Sequence, residues 1–138
     1  MKYMLDTNII IYAKNKRPKG VLEKLKNCSP EELCISAVTL AELEYGVANS
    51  SNPEYNQLAL LLFLSGIEVL PFDADAAMQY GNIRKELKDE GNLIGANDLL
   101  IAAHAKARDL ILVTNNTKEF ERVKGLKLEN WVEYLSKT

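Results

Sequence analysis

The sequence predicts an α/β fold in a single domain, residues 1–138, built as a parallel β-sheet with helices on both faces. Three observations predict it. Short apolar runs rich in β-formers stand at residues 2–5, 33–35, 67–70 and 110–113, and the stretches between them carry helical periodicity. Strands that alternate with helices are joined by crossovers and lie parallel. A chain of 138 residues with 47% hydrophobic and 26% charged residues has enough apolar side chains for one core and is too short for two ordinary domains.

Taken in order, Met1-Lys2-Tyr3-Met4-Leu5 is the first strand, and Asp6-Thr7-Asn8 opens a helix through Ile9-Ile10-Ile11-Tyr12. After the second strand, Ser36 caps a helix that Gly46 is expected to stop. Its residues Leu40, Leu43 and Val47 make an apolar stripe, and Glu42 lies on the neighbouring stripe with Val38 and Tyr45. Asn49-Ser50-Ser51-Asn52-Pro53 is a loop into a second helix. Pro71-Phe72-Asp73 leads from the third strand into a helix of about four turns that ends near Gly91. Gly95-Ala96-Asn97 enters a very apolar helix through Leu99-Leu100-Ile101-Ala102-Ala103-His104-Ala105, with Asn97 as the expected cap. The fourth strand ends at Thr114-Asn115-Asn116, and a short segment with Glu119 follows. Repeats, low-complexity segments and linkers are absent from the sequence.

Three acids stand where a domain of this kind would otherwise place something apolar. Asp6 closes a core strand, Glu42 sits beside an apolar helix stripe, and Asp98 shares a face with Ile101, Ala102 and Ala105. A carboxylate in such a place is paired or binds a cation, because burying it alone is costly. Each also has a structural reading. Asp6-Thr7-Asn8 can cap a helix, Glu42 is at home in any helix, and an acid in a first turn complements the helix dipole. In parallel sheets, sites form beyond the C-terminal ends of the strands, where the strand order reverses. Asp6, the Glu42 helix and Thr114-Asn115-Asn116 all fall on that edge. Glu119 either adds a fourth carboxylate there or is a surface acid.

An oxygen-only ligand set without His or Cys selects Mg²⁺ or Mn²⁺. Crowded carboxylates raise one another's pKa, and a cation relieves the repulsion. Such an ion can activate water and neutralise a phosphodiester in flight, so phosphodiester hydrolysis is the chemistry expected. The sequence has no phosphate loop and no Ser, Cys or Lys nucleophile motif. A dehalogenase-like phosphatase would need an Asp at position 8, where Asn8 stands. A receiver-like phosphoacceptor would need an acidic pair at the first strand end and a Lys after a late strand. A non-catalytic RNA-binding module stays open if the acids hold only a structural ion.

The net charge of −2 gives no general attraction to nucleic acid. Local runs matter more: Lys14, Lys16, Arg17 and Lys19, and then Lys118, Arg122, Lys124 and Lys127, each line a phosphate path or form a solvated face. No apolar run approaches the roughly 20 residues of a membrane span, and Asp6 interrupts any signal peptide. Cys28 and Cys34 lack zinc spacing and read as reduced structural thiols of a cytosolic protein. His104, the sole histidine, reads as a hydrogen-bonded structural residue. Trp131 and the tyrosines could stack on splayed RNA bases, although core packing is the primary reading for Trp131.

Leu5-Asp6-Thr7-Asn8, Thr39-Leu40-Ala41-Glu42-Leu43 with Tyr45-Gly46, Ile94-Gly95 with Asn97-Asp98 through Ala105, and Leu112-Val113-Thr114-Asn115-Asn116 with Glu119-Phe120 resemble a PIN domain of the VapC toxin type. The resemblance covers almost the whole chain. It implies a PIN-like, Rossmann-like fold and a Mg²⁺- or Mn²⁺-dependent endoribonuclease, neutralised by a VapB-type antitoxin and usually homodimeric. It further implies that Asp6, Glu42 and Asp98 bind metal and that Thr7 and Thr114 orient ligands or water. Asn8 and Asn116 would support them. Many members carry an Asp at the position of Asn116, and Glu119 is the expected replacement. The look-alikes with the most similar motifs cut the anticodon stem-loop of initiator tRNA. Exposed apolar residues on the helices after Asp6 and Pro53 are the expected antitoxin surface.

Overall fold

The computed structural model describes residues 1–15 and 19–132; Lys16 and Arg17 of the first basic run lie outside the described residues. The elements run β1 (Tyr3–Leu5), α1 (Thr7–Asn15), α2 (Lys19–Lys26), a 3-10 turn (Pro30–Glu32), β2 (Leu33–Ser36), α3 (Ala37–Ala48) and α4 (Pro53–Leu64). They continue with β3 (Glu68–Leu70), α5 (Ala74–Asp89), α6 (Ala96–Ala107), β4 (Ile111–Val113), α7 (Thr117–Phe120) and β5 (Lys127–Glu129). The sheet has five strands in the order β3-β2-β1-β4-β5, and every neighbouring pair is parallel. β1 is therefore central, with Met4 opposite Cys34 on one side and Leu112 on the other.

Successive side chains of a strand point to opposite faces, and the core divides accordingly. Met4, Cys34 and Leu112 pack against Ile83 and Leu87 of α5, Ile101, Ala102 and Ala105 of α6, and Phe120. Tyr3, Leu5, Ile35 and Val113 pack on the other face against Ile9, Ile10, Leu43, Val47, Leu60 and Trp131. β1 is buried on both faces, so its apolar run is continuous rather than alternating. Trp131 is buried, its ring edge-on to Tyr3 at 5.1 Å. This is the core role expected from the sequence.

The structure departs from expectation in three places. β5 pairs with β4, yet its Lys-Leu-Glu sequence holds one apolar residue, too few to read as a strand. α3 runs past Gly46 to Ala48 and is capped by Asn49; a glycine weakens a helix interior but does not end it unless a left-handed turn follows. The N-cap of α6 is Gly95 rather than Asn97, which lies inside the first turn. In the C-terminal basic run, three of the four cations take the solvated-face reading, tied into local pairs. Lys124 pairs with Glu86 and Glu90 at 3.3 and 3.1 Å, Lys127 with Asp109 at 3.0 Å, and Arg122 donates to the Leu93 carbonyl at 3.1 Å. Lys127 opens β5, so it stands at the opposite edge of the sheet from the acids.

His104 is fully buried, its Nδ1 2.7 Å from Ser36 Oγ, which also accepts the Val38 N–H that starts α3. Burial pushes its pKa down, and its role is to pin α6 to the start of α3. Both cysteines are free thiols, and burial pushes that of Cys34 up to about 12. Among the described residues no helix is long and apolar enough to cross a membrane.

Candidate functional site

The strand order reverses between β1 and β4, and the crevice beyond their C-terminal ends is where an open parallel sheet places its ligands. Asp6 follows β1 and is 4% exposed; Thr114 follows β4 and is fully buried. The Thr114 hydroxyl donates to Asp6 Oδ2 at 2.8 Å, and the Thr7 N–H donates to Oδ1 at 2.8 Å. Asp6 thus serves the start of α1 and the crevice at once, so its two sequence readings are compatible. Burial raises its pKa, and the two hydrogen bonds and nearby Glu42 act on it less strongly, the bonds downward and Glu42 upward.

Glu42 reaches the crevice from the middle of α3. Thr7 Oγ1 donates to its Oε1 at 2.5 Å, and Asn97 Nδ2 to its Oε2 at 3.2 Å. Asp98 enters from the first turn of α6, half-buried because the residues around it pack on the sheet. Its carboxyl is hydrogen-bonded to Glu119, and its pKa is pushed up to about 7 by burial first, then by that bond and by the charges of Asp6, Glu119 and Glu42. Glu119 is steered by Asn116, whose Nδ2 donates to Glu119 Oε2 at 2.7 Å while its backbone N–H donates to Thr114 Oγ1 at 3.0 Å.

The four acids read from the sequence therefore meet on one edge, joined by hydrogen bonds through Thr7, Thr114 and Asn116. Asn8 does not join them: it is exposed on the first turn of α1, and none of the hydrogen bonds described for the acids involves it. Asn97 is the residue that sequence reasoning assigned wrongly, as a cap instead of the partner of Glu42. Its position beside Asp98 in the third of the four motifs was the only signal.

All the ligating atoms on offer are oxygens, several held by neutral donors in the way that outer partners orient metal ligands. The rise of the Asp98 carboxyl to about 7, through burial and the neighbouring acids, marks crowded negative charge that a hard divalent cation would relieve. The donor set fits Mg²⁺ or Mn²⁺. Among the described residues, however, no three acids are drawn tightly enough to hold an ion as they stand. They form two groups, Asp98 with Glu119 and Glu42 with Thr7 and Asn97, with Asp6 between them in electrostatic reach. Side-chain rotation of Glu42 and Glu119, both long and only part-buried, is what closing the site requires.

A family model for the PIN domain matches residues 3–126. A ribonuclease VapC2 of Haemophilus influenzae is 48% identical over 132 residues, 96% of this chain and 99% of the relative. A tRNA(fMet)-specific endonuclease VapC of Shigella flexneri is 49% identical over 131 residues, 95% of this chain and 98% of the relative. The crystal structure of VapBC2 from Rickettsia felis bound to a DNA fragment from its promoter contains a chain that superposes with a TM-score of 0.86 at 48% identity, covering 95% of this chain and 99% of that one.

Proposed function

The chain belongs to the PIN-domain family, and from that premise we propose that it is a divalent-metal-dependent endoribonuclease of the VapC toxin type. The observation that carries the reading is the placing of Asp6, Glu42, Asp98 and Glu119 at the strand-order reversal, where burial and the neighbouring acids push the Asp98 carboxyl up to about 7. A bound Mg²⁺ or Mn²⁺ would polarise a water and neutralise charge on the phosphodiester.

The protein's own residues do the rest. Thr114 and the Thr7 N–H fix both oxygens of Asp6 so that it meets its ligand without rearranging. That clamp also favours the ligand role over attack on phosphorus, which would require Asp6 to swing free. Thr7 and Asn97 hold Glu42 on the opposite side of the crevice, where it can accept a proton from a water or hydroxyl. Asn116 holds Glu119 against Asp98, keeping the fourth carboxylate within reach.

Initiator tRNA is the proposed substrate, supported by the name of the Shigella relative, and the cytoplasm is the proposed site of action. The proposed partner is a VapB-type antitoxin, supported by the VapBC complex among the similar structures. α4 offers a surface for it, with Tyr55, Leu58, Leu61 and Leu62 all more than half exposed, an apolar patch of the kind that marks a protein contact. A homodimer is proposed with it, as for other chains of this type.

The test is cleavage of a purified tRNA pool by wild type and by Asp98→Asn, each with Mg²⁺, with Mn²⁺ and with EDTA. Discrete cuts by wild type with metal alone are expected. The same cuts by Asp98→Asn, or in EDTA, would overturn the assignment.

A further inference from the structure

We propose that the cleft beside Glu42 seats one unpaired RNA base next to the scissile phosphate, with Tyr45 as its stacking surface. This rests on the nuclease reading above and adds how the substrate is held. The cleft has a volume of about 410 Å³ and is lined by Thr7, Val38, Ala41, Glu42, Tyr45 and Asn97. Val38, Ala41 and Tyr45 fall at i, i+3 and i+7 on α3 and form one continuous apolar wall. Asn97 of α6 faces it, and the Thr7–Glu42 pair closes the inner end.

The lining decides what fits. It holds an anion and no cation, so a phosphate group placed there would be repelled by Glu42. A planar, neutral group with hydrogen-bonding edges suits it. Asn97 donates one amide N–H to Glu42 and keeps its carbonyl oxygen to accept from such a group, and Glu42 accepts likewise. Tyr45 is 70% exposed, so its ring contributes little to the core. A large ring left at the lip of a polar cleft is what splayed bases stack upon. The base must be unpaired, because a base within a helix has no free face to offer.

The phosphates have a separate seat. On the other side of the Thr7–Glu42 pair lies a second cleft of about 250 Å³, where Lys14 stands with Glu42 and offsets its charge, as no cation does in the first. A strand crossing the acids thus meets a cation on one side and an aromatic ring on the other.

The probe is a short single-stranded RNA spanning the bond cut in the tRNA pool, together with two versions that lack the base on one side of the cut or the other. Base–aromatic stacking is worth about 1–3 kcal/mol, so Tyr45→Ala raises KM for the intact RNA by about fivefold or more. The value of kcat stays within about threefold of wild type, because the interaction is uniform binding. Tyr45→Phe recovers most of the lost affinity. One of the abasic RNAs raises the wild-type KM to the level of Tyr45→Ala and makes the two proteins equal. Melting temperatures of the variants within about 2 °C of wild type show that folding is not the cause.

An unchanged KM for Tyr45→Ala on the intact RNA would overturn the proposal and leave the cleft to a side chain of a partner protein. An equal penalty on all three RNAs would overturn it too, since the ring would then act on something other than a base. If wild type cuts no RNA with metal present, the nuclease reading falls and the stacking proposal with it.

Discussion

Replacing Asp98 with Asn should make the protein more stable at pH 8 while removing its activity. The folded chain holds the Asp98 proton up to about pH 7, whereas an ordinary aspartate releases it near 3.8. The folded state therefore binds more protons than the unfolded state between those values, and stability falls as pH rises through that window. Above pH 7 the loss is complete. At about 1.4 kcal/mol per pH unit the interval of about three units sets a ceiling of roughly 4 kcal/mol. Asp98 is only half-buried, so solvent screening cuts the expected cost to about 1–2 kcal/mol. Asn carries no charge at any pH, and its amide can donate to Glu119 in place of the acid proton. For a domain of this length the gain corresponds to a melting temperature about 3–7 °C above wild type at pH 8. At pH 4.5 the difference should shrink to about a quarter of that. The assay is calorimetry or circular dichroism across pH 4.5–8.5 in EDTA, repeated with Mg²⁺, which should stabilise wild type and leave the variant nearly unmoved. A melting difference that does not change with pH would refute the reasoning, since the effect must come from a group that titrates.

Three other outcomes follow from the same geometry. At limiting Mg²⁺, cleavage should rise with pH through neutrality as Asp98 loses its proton, and raising the metal concentration should move the midpoint to lower pH because proton and cation compete for one carboxylate; a midpoint indifferent to metal counts against a ligand role. Thr114→Val leaves Asp6 Oδ2 and the Asn116 N–H without the partner they share, costing about 1–3 kcal/mol of stability and about 10–100-fold in Mn²⁺ affinity, both readable by calorimetry; unchanged Mn²⁺ binding would show that Thr114 does not orient a ligand. In the native protein, iodoacetamide should label Cys28 slowly and spare Cys34, whose thiol is buried and pushed up to about 12, with mass spectrometry as the readout; early labelling of Cys34 would mean the central sheet opens.

Some of this was written plainly in the sequence, and the reason is burial. β1, β2 and β4 read as strands because the centre of a parallel sheet tolerates almost nothing polar; β3 lies at an edge and was legible from its Val69-Leu70 pair. Asp6 and Asp98 stood out as exceptions to that rule. β5 was not legible because it is an edge strand with one apolar residue: Lys127 is exposed, Glu129 accepts the Trp131 indole N–H, and the pairing that makes it a strand is supplied by β4. The role of Asn97 was hidden for a different reason, since its bond to Glu42 joins residues 55 positions apart. A local rule for helix caps found the nearer explanation. Asn116 and Glu119 lie three residues apart, and there the local pattern was enough to pair them.

The bond between Thr114 and Asp6 joins residues 108 positions apart, across the two innermost strands of the sheet. Contacts of such separation form late, because the loop between their ends must close first. A chain emerging from the ribosome therefore shows β1, α1, β2 and α3 before the residues that complete the crevice have been made. Its first acid waits for the last. If the chain cuts RNA as proposed, this order keeps each copy inactive until nearly all of it has been synthesised.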